Sequence, residues 1–306
     1  MPVVRMFQIL RPVGREQIGE IAVKRWNLLC LGVLVCLMVL FSGYLIWSRN
    51  SIDTTGPVIT VSEELLEISV KDPKEMLLQG ITAQDDRDGD VTARMLVESI
   101  YGITEDNITT VTYAAFDRAG NVSKVQRQVR YKDYESPKFE LYGSLCFPGG
   151  SGFDVLEYVG ARDVIEGDIR RRVRATLVSD TKSISNVGSH VVRFQVTNSL
   201  GDTVQADIPV EVYDPEWYTA AVELKEYLVY LKVGETFDPD AYLKNFLVRG
   251  DEIDVSGRIP EGVYYSVDNQ VSGKRPGIYT VTYNLTTTVN QMTFSGQTVL
   301  IVIVEE

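Results

Sequence analysis

The chain of 306 residues contains one histidine, His190. That excludes a metal site built from several imidazoles and leaves no histidine cluster for acid–base relay. His190 itself falls in an alternating strand pattern and reads as a packing residue. Cysteine is nearly as scarce, with three copies. Cys30 and Cys36 lie inside an apolar run, and Cys146 stands alone beyond it. No disulfide can form within the part beyond the run, so its cores must be held by apolar burial. Cys146 is left as an inert thiol or as a partner for a second molecule. Of three tryptophans, only Trp217 lies beyond the run, which leaves no evident aromatic platform for sugar rings. No G-x-S-x-G elbow is present. The stretch Gly149-Gly150-Ser151-Gly152 lacks the Lys-Ser/Thr of a phosphate cradle and reads as a loop. No carboxylate pair is marked out for glycoside chemistry. The chain reads as a non-enzyme, with no catalytic residue and no cofactor motif.

Positive charge is also in deficit. There are 30 Lys and Arg against 42 Asp and Glu, a net charge of −12. Six of the cations (Arg5, Arg11, Arg15, Lys24, Arg25 and Arg49) lie at or before residue 49, with only Glu16 and Glu20 to oppose them. The remainder carries 24 basic and 40 acidic residues, a net −16. Such a surface repels nucleic acid, anionic wall polymers and lipid headgroups, and favours solubility.

One apolar run is present in full. Residues 26–47 read W-N-L-L-C-L-G-V-L-V-C-L-M-V-L-F-S-G-Y-L-I-W, without a charge. At ~1.5 Å per residue, a helix of this length covers a hydrocarbon core of ~30 Å. Trp26 and Trp47 sit where amphipathic rings prefer the interface. The basic tail, residues 1–25, belongs in the cytoplasm, and the chain beyond residue 47 is exported. Residues 16–25 can extend the membrane helix inward. The run is longer than the h-region of a cleaved signal, and no A-x-A-like site lies at its far end, so it reads as an uncleaved signal anchor.

After a polar linker, residues 48–56, the pattern changes to short alternating runs rich in Val, Ile, Thr and Tyr, separated by turn residues. Residues 240–248 alone suggest helical periodicity. Internal similarity divides the exported part. Ala83, Asp85, Asp88, Gly89, Asp90 and Val91 align without a gap on Ala161, Asp163, Glu166, Gly167, Asp168 and Ile169. Further on, Val111, Tyr113, Ala115 and Asp117 alternate in one unit, His190, Val192, Phe194, Val196 and Asn198 in the next, and Tyr279, Val281, Tyr283 and Leu285 in a third. Period two places each set on one face of a strand. The turns Asp117–Asn121 and Asn198–Asp202 then lead into another alternating strand, a hairpin signal. The expected units are residues 57–132, 137–213 and 218–306, the last diverged. Short proline-containing joints connect them and should be stiff.

These residues resemble the bacterial immunoglobulin-like repeats of Gram-positive surface proteins, a group related to HYR and cadherin-like modules. The first unit carries the family's acidic run as Asp85, Asp88, Gly89, Asp90, Val91 and Thr92. It carries the later strand and turn as Val111, Tyr113, Ala115, Asp117, Gly120 and Asn121. The second unit has Arg170 for the Thr and Asn198 for Asp117, and the third keeps Pro276–Tyr283 but a poor acidic run. The resemblance spans nearly all of residues 57–306. It implies an all-β chain of tandem immunoglobulin-like antiparallel β-sandwiches, about seven strands each, behind one N-terminal transmembrane helix. It specifies fold and says little of function.

The acidic run is the sharpest chemical feature. Asp85, Asp86, Asp88 and Asp90 place four carboxylates within six residues. Oxygen-only ligands suit a hard cation such as Ca²⁺, although the spacing is not that of an EF-hand. The same side chains would equally serve as acceptors for turn N–H groups. In the second unit Asp163, Glu166 and Asp168 are followed closely by Arg170, Arg171, Arg172 and Arg174, which could neutralise them directly. Three N-x-S/T sequons, at Asn107, Asn121 and Asn284, read as chance in a bacterial setting. Two functions are consistent with all this: a membrane-anchored stalk or interaction module that meets a protein or wall-glycan partner, or an accessory subunit of an envelope complex.

Overall fold

The structure is a computed structural model that describes residues 16–51, 53–178, 184–215, 220–249, 251–254, 259 and 261–306. The basic residues of the tail up to Arg15, and Glu216 and Trp217 of the second joint, lie outside the described residues.

The helix α1 runs Glu16–Ser51, so the helix of the apolar run extends N-terminally through residues 16–25. Within it, the 24 residues Arg25–Ser48 are apolar and long enough to cross a membrane, and none of that window is buried against protein. The rest is strand and loop. In chain order the first seven strands are β1 (Val58–Val61), β2 (Leu65–Ile68), β3 (Ile81–Asp85), β4 (Gly89–Asp90), β5 (Leu96–Tyr101), β6 (Ile108–Phe116) and β7 (Val122–Tyr131). The next seven are β8 (Lys138–Leu141), β9 (Cys146–Pro148), β10 (Val159–Asp163), β11 (Gly167–Asp168), β12 (Arg174–Leu177), β13 (Gly188–Thr197) and β14 (Thr203–Tyr213). The last are β15 (Ala220–Leu224), β16 (Leu228–Lys232), β17 (Leu243–Val248), β18 (Asp251–Asp254), β19 (Val263–Asn269), β20 (Gly277–Val289) and β21 (Met292–Glu305).

The same topology occurs three times. Each set of seven forms a three-stranded sheet from its first, third and fourth strands. Its second, seventh, sixth and fifth strands form a four-stranded sheet in that order. The chain is thus all-β, with tandem sandwich-type sheets behind one apolar helix. Most pairings are antiparallel, but the second strand of each set lies parallel to the seventh, as in β2–β7, β9–β14 and β16–β21. This follows from a chain that starts in one sheet and switches to the other within a few residues, entering the second sheet from the opposite side.

Alternation sets the cores, as period two requires. In β13, His190, Val192, Phe194 and Val196 are buried and their neighbours are not. In β6 Val111, Tyr113 and Ala115 are buried, and in β20 Val281, Tyr283 and Leu285. Residues 240–248 are not a helix: Pro239–Tyr242 is a 3₁₀ turn and Leu243–Val248 a strand. Proline opens that turn, and Phe246 and Val248 take the inward register of a strand paired with β15.

By contacts the chain divides into two compact units. One is Met1–Ile59 with Thr82–Met95 and Ala115–Ser123; the other is Thr60–Ile81 with Leu96–Ala114 and Lys124–Glu306. The first holds the helix, the linker and the β3–β4 turn. Within the second, one apolar cluster contains Phe139, Val159, Phe194 and Ile208 together with Leu228, Val299 and Ile301, so residues from both sides of the second joint share a core. The Tyr230 hydroxyl, which accepts the Phe139 N–H at 2.8 Å, belongs to the same contact.

Candidate functional site

The acidic run begins at the end of β3. Ile81, Ala83 and Asp85 occupy the inward register of that strand, so the carboxylate of Asp85 is carried into the interior and is only 7% exposed. Gly89, with φ +74°, turns the chain back into β4. Most of the run serves that turn. Asp85 Oδ1 accepts the N–H groups of Arg87 (3.0 Å) and Asp88 (2.8 Å). Asp90 Oδ1 accepts the Thr92 N–H at 2.9 Å; hydrogen bonds from Thr92 hold the Asp90 carboxyl below its ordinary value. Asp88 Oδ2 accepts the Arg118 N–H at 2.5 Å, and Asp88 lies within ion-pair range of the same residue's guanidinium.

Asp86 faces the other way, toward the linker. Its Oδ1 takes a hydrogen bond from the Thr55 hydroxyl at 2.9 Å. That hydroxyl lies equally close, at 3.0 Å, to Asp53 Oδ1, which also accepts the Thr55 N–H. Carboxylate oxygens of Asp53, Asp85 and Asp86 all lie within 4.8 Å of one another. The structure therefore divides the four expected residues. Asp85 and Asp86 come together with Asp53, while Asp88 and Asp90 are turned to backbone and to Arg118. Asp53 was missed by sequence reasoning, yet a signal existed. Asp53 precedes Pro57 by four residues, as Asp133 precedes Pro137.

One atom of the group is unaccounted for. Asp85 Oδ2 is buried and has no hydrogen-bond partner. The second set of strands explains why. There Asp163 ends β10 in the same register and its Oδ1 likewise accepts two turn N–H groups, of Ile165 and Glu166, each at 2.9 Å. Its Oδ2, however, accepts from Asn198 Nδ2 at 2.8 Å. Asn198 also donates to the Tyr134 hydroxyl at 2.7 Å, and that hydroxyl donates to Asp202 Oδ2 at 2.7 Å. Burial and the Asp202 carboxylate together push the Tyr134 phenol well above its ordinary value. In the first set the residue matching Asn198 is Asp117, a carboxylate with no proton to give. Asp117 accepts from Asn121 instead, at 2.7 Å from its N–H and 2.6 Å from its Nδ2. Asp85 Oδ2 is left with nothing.

Of the arginines that follow the second run, Arg172 pairs with one of its carboxylates, while Arg170 takes other partners. Arg172 makes a two-pronged contact with Glu166 at 3.0 and 2.5 Å. Arg170 lies 4.6 Å over the Tyr142 ring and donates to the Glu157 carbonyl. His190 is buried, with Nε2 2.7 Å from the Asn186 carbonyl. Cys146 is half-buried, and burial raises its thiol to about 11, so it is a poor nucleophile at neutral pH.

No family model matches the chain, and no curated protein sequence matches it. Solved structures that resemble it include protocadherin gamma B2 extracellular cadherin domains 1–5, at 13% identity over 82% of this chain and 60% of that one, TM-score 0.19. Another is Drosophila N-cadherin EC1–3, at 11% identity over 79% of this chain and 97% of that one, TM-score 0.30. A third holds CBM51-2 with GlcNAc and INT domains of Clostridium perfringens ZmpB, at 15% identity over 81% of this chain and 44% of that one, TM-score 0.21. At such scores these likenesses carry no argument about function.

Proposed function

We propose that this protein is a single-pass membrane protein whose β-sandwich repeats stand on the outer side of the membrane as a stalk or interaction module. The observation that carries the reading is the segment Arg25–Ser48: 24 residues, apolar in character, none buried against protein. At ~25 cal/mol per Å² of apolar area, so large an exposed surface would be strongly unfavourable in water. A bilayer removes that cost and leaves every backbone group bonded within the helix. The cations at Arg5, Arg11, Arg15, Lys24 and Arg25 hold the N-terminus in the cytoplasm. The helix acts as an uncleaved signal anchor of a bacterial surface protein.

One seven-strand topology is repeated along the exported part, and its negative charge keeps it dispersed. The partner is a protein or a wall glycan, and no step of chemistry is assigned to the chain. Protease added to intact, wall-stripped cells tests the topology. Loss of everything beyond about residue 48, with the anchor retained, is the expected result. Full protection of residues 57–306 would overturn it, and a mature chain starting near Tyr44 would overturn the uncleaved anchor.

A further inference from the structure

We infer that Asp53, Asp85 and Asp86 form a calcium site that ties the linker after α1 to the end of β3. Three observations lead there. First, oxygens of three carboxylates converge within 4.8 Å of one another. Two ligands that each lie ~2.4 Å from one Ca²⁺ cannot be further apart than about this. Second, Asp85 is only 7% exposed, and its Oδ2 has no donor. A buried, ionised carboxylate oxygen without a partner is costly unless a cation or a proton donor meets it. Third, the Thr55 hydroxyl stands 3.0 Å from Asp53 Oδ1 and 2.9 Å from Asp86 Oδ1. A hydroxyl has one proton, so it cannot fully satisfy both.

Among the described residues, one cation lies within ion-pair range of the group. Arg87 Nε is 3.8 Å from Asp53 Oδ2. Arg118 is committed to Asp88, and Asp117 faces Asn121. A divalent cation would offset three crowded carboxylates and fill the role that the Asn198 amide plays beside Asp163. The donors are all oxygen, from two carboxylates at the end of β3, a linker carboxylate and a hydroxyl. That set favours Ca²⁺, which accepts irregular geometry, over Mg²⁺, which demands a small octahedron. The pattern also assigns the two joints different fastenings. At the joint before the second set, Tyr134, Asn198 and Asp202 close the network with hydrogen bonds alone. At the joint before the first, the cation does so.

Calcium binding is independent of membrane topology, because it is read on the purified chain. Full-length protein in detergent micelles, stripped with EDTA, is titrated with CaCl₂ and separately with MgCl₂ in a calorimeter, and melting is followed with each ion. The expected result is one saturable calcium site, a rise in melting temperature with Ca²⁺, and affinity for Mg²⁺ at least tenfold weaker. Asp86→Asn, an exposed substitution that does not threaten folding, should weaken calcium at least tenfold. Asp85→Asn keeps the Oδ1 acceptor for the turn and removes the buried charge. It should melt no lower than the parent in EDTA yet lose the calcium response. Tyr134→Phe, in the second network, should leave calcium affinity unchanged. No saturable calcium binding, equal responses to Mg²⁺ and Ca²⁺, or binding that survives both Asp85→Asn and Asp86→Asn would each overturn the site.

Discussion

Asn198 and Asp117 occupy matching turns and differ by one group, an amide against a carboxylate. The amide can donate, and its Nδ2 satisfies both Asp163 and the Tyr134 hydroxyl. Asn198→Asp should therefore leave Asp163 Oδ2 buried beside a second acceptor and cost about 1–3 kcal/mol, the usual penalty of an unsatisfied buried group. A lower denaturation midpoint at unchanged slope would show it; an unchanged midpoint would mean the network contributes nothing. Glu166 gives a pH-dependent prediction. Burial favours its neutral form, but the Ser199 N–H and the Arg172 guanidinium outweigh burial and hold the carboxyl below its ordinary 4.5. A depressed carboxyl adds stability that is present above the unfolded value and lost as pH falls through the folded one. The parent should thus lose stability below about pH 4.5. Glu166→Gln should be less stable than the parent at pH 7, with the difference vanishing in acid. Equal acid profiles for the two would refute the assignment.

At the scale of elements, two glycines separate two different demands. Gly89 turns β3 into β4 at φ +74°, but open space surrounds the position of a side chain. Gly89→Ala should cost about 1–2 kcal/mol, the penalty of the left-handed region alone. Gly296 lies in β21, where an added Cβ would meet the Ala220 carbonyl oxygen of β15 at 1.5 Å. Gly296→Ala must push β15 off β21, so its cost should exceed that of Gly89→Ala by a few kcal/mol. Thermal melts of the two variants rank them, and the reverse order would contradict the packing described. The acidic run also belongs to this scale. The helix length, the strand alternation and the turn at Gly89 were legible because each is a local pattern of period 3.6 or 2, or a single backbone requirement. The inward position of Asp85 was implicit in that same alternation.

For the molecule as a whole, the second joint decides how residues 137–306 unfold. Its short, proline-containing composition suggested a stiff connection between two units. In the structure Phe139 and Phe194 share a core with Leu228, Val299 and Ile301, and Tyr230 bonds to Phe139. Residues 218–306 also hold a cluster of their own, around Phe246, Tyr283 and Leu300, but opening either segment strips apolar contacts from the cluster they share, so residues 137–213 and 218–306 should melt in one calorimetric transition. Tyr230→Phe should lower that transition by removing a part-buried hydrogen bond, at about 1 kcal/mol. Two well-separated transitions for these segments would show that the shared cluster is energetically negligible.

The amino-acid sequence alone determined the order of elements along the chain: an apolar helix, a linker, and strand patterns that repeat. Those depend on the character of neighbouring residues, and hydrophobic periodicity reports it directly. The equivalence of Asp85 and Asp163 was visible in the same way. Only the tertiary structure decided what becomes of the acidic residues. Asp53 lies 32 positions before Asp85, so no local pattern could join them to one site. Whether a buried carboxylate oxygen finds a donor depends on which side chain the next hairpin turn places opposite it. Asn198 supplies one to Asp163, Asp117 withholds one from Asp85, and that difference becomes meaningful only when strand and turn are brought within hydrogen-bond reach.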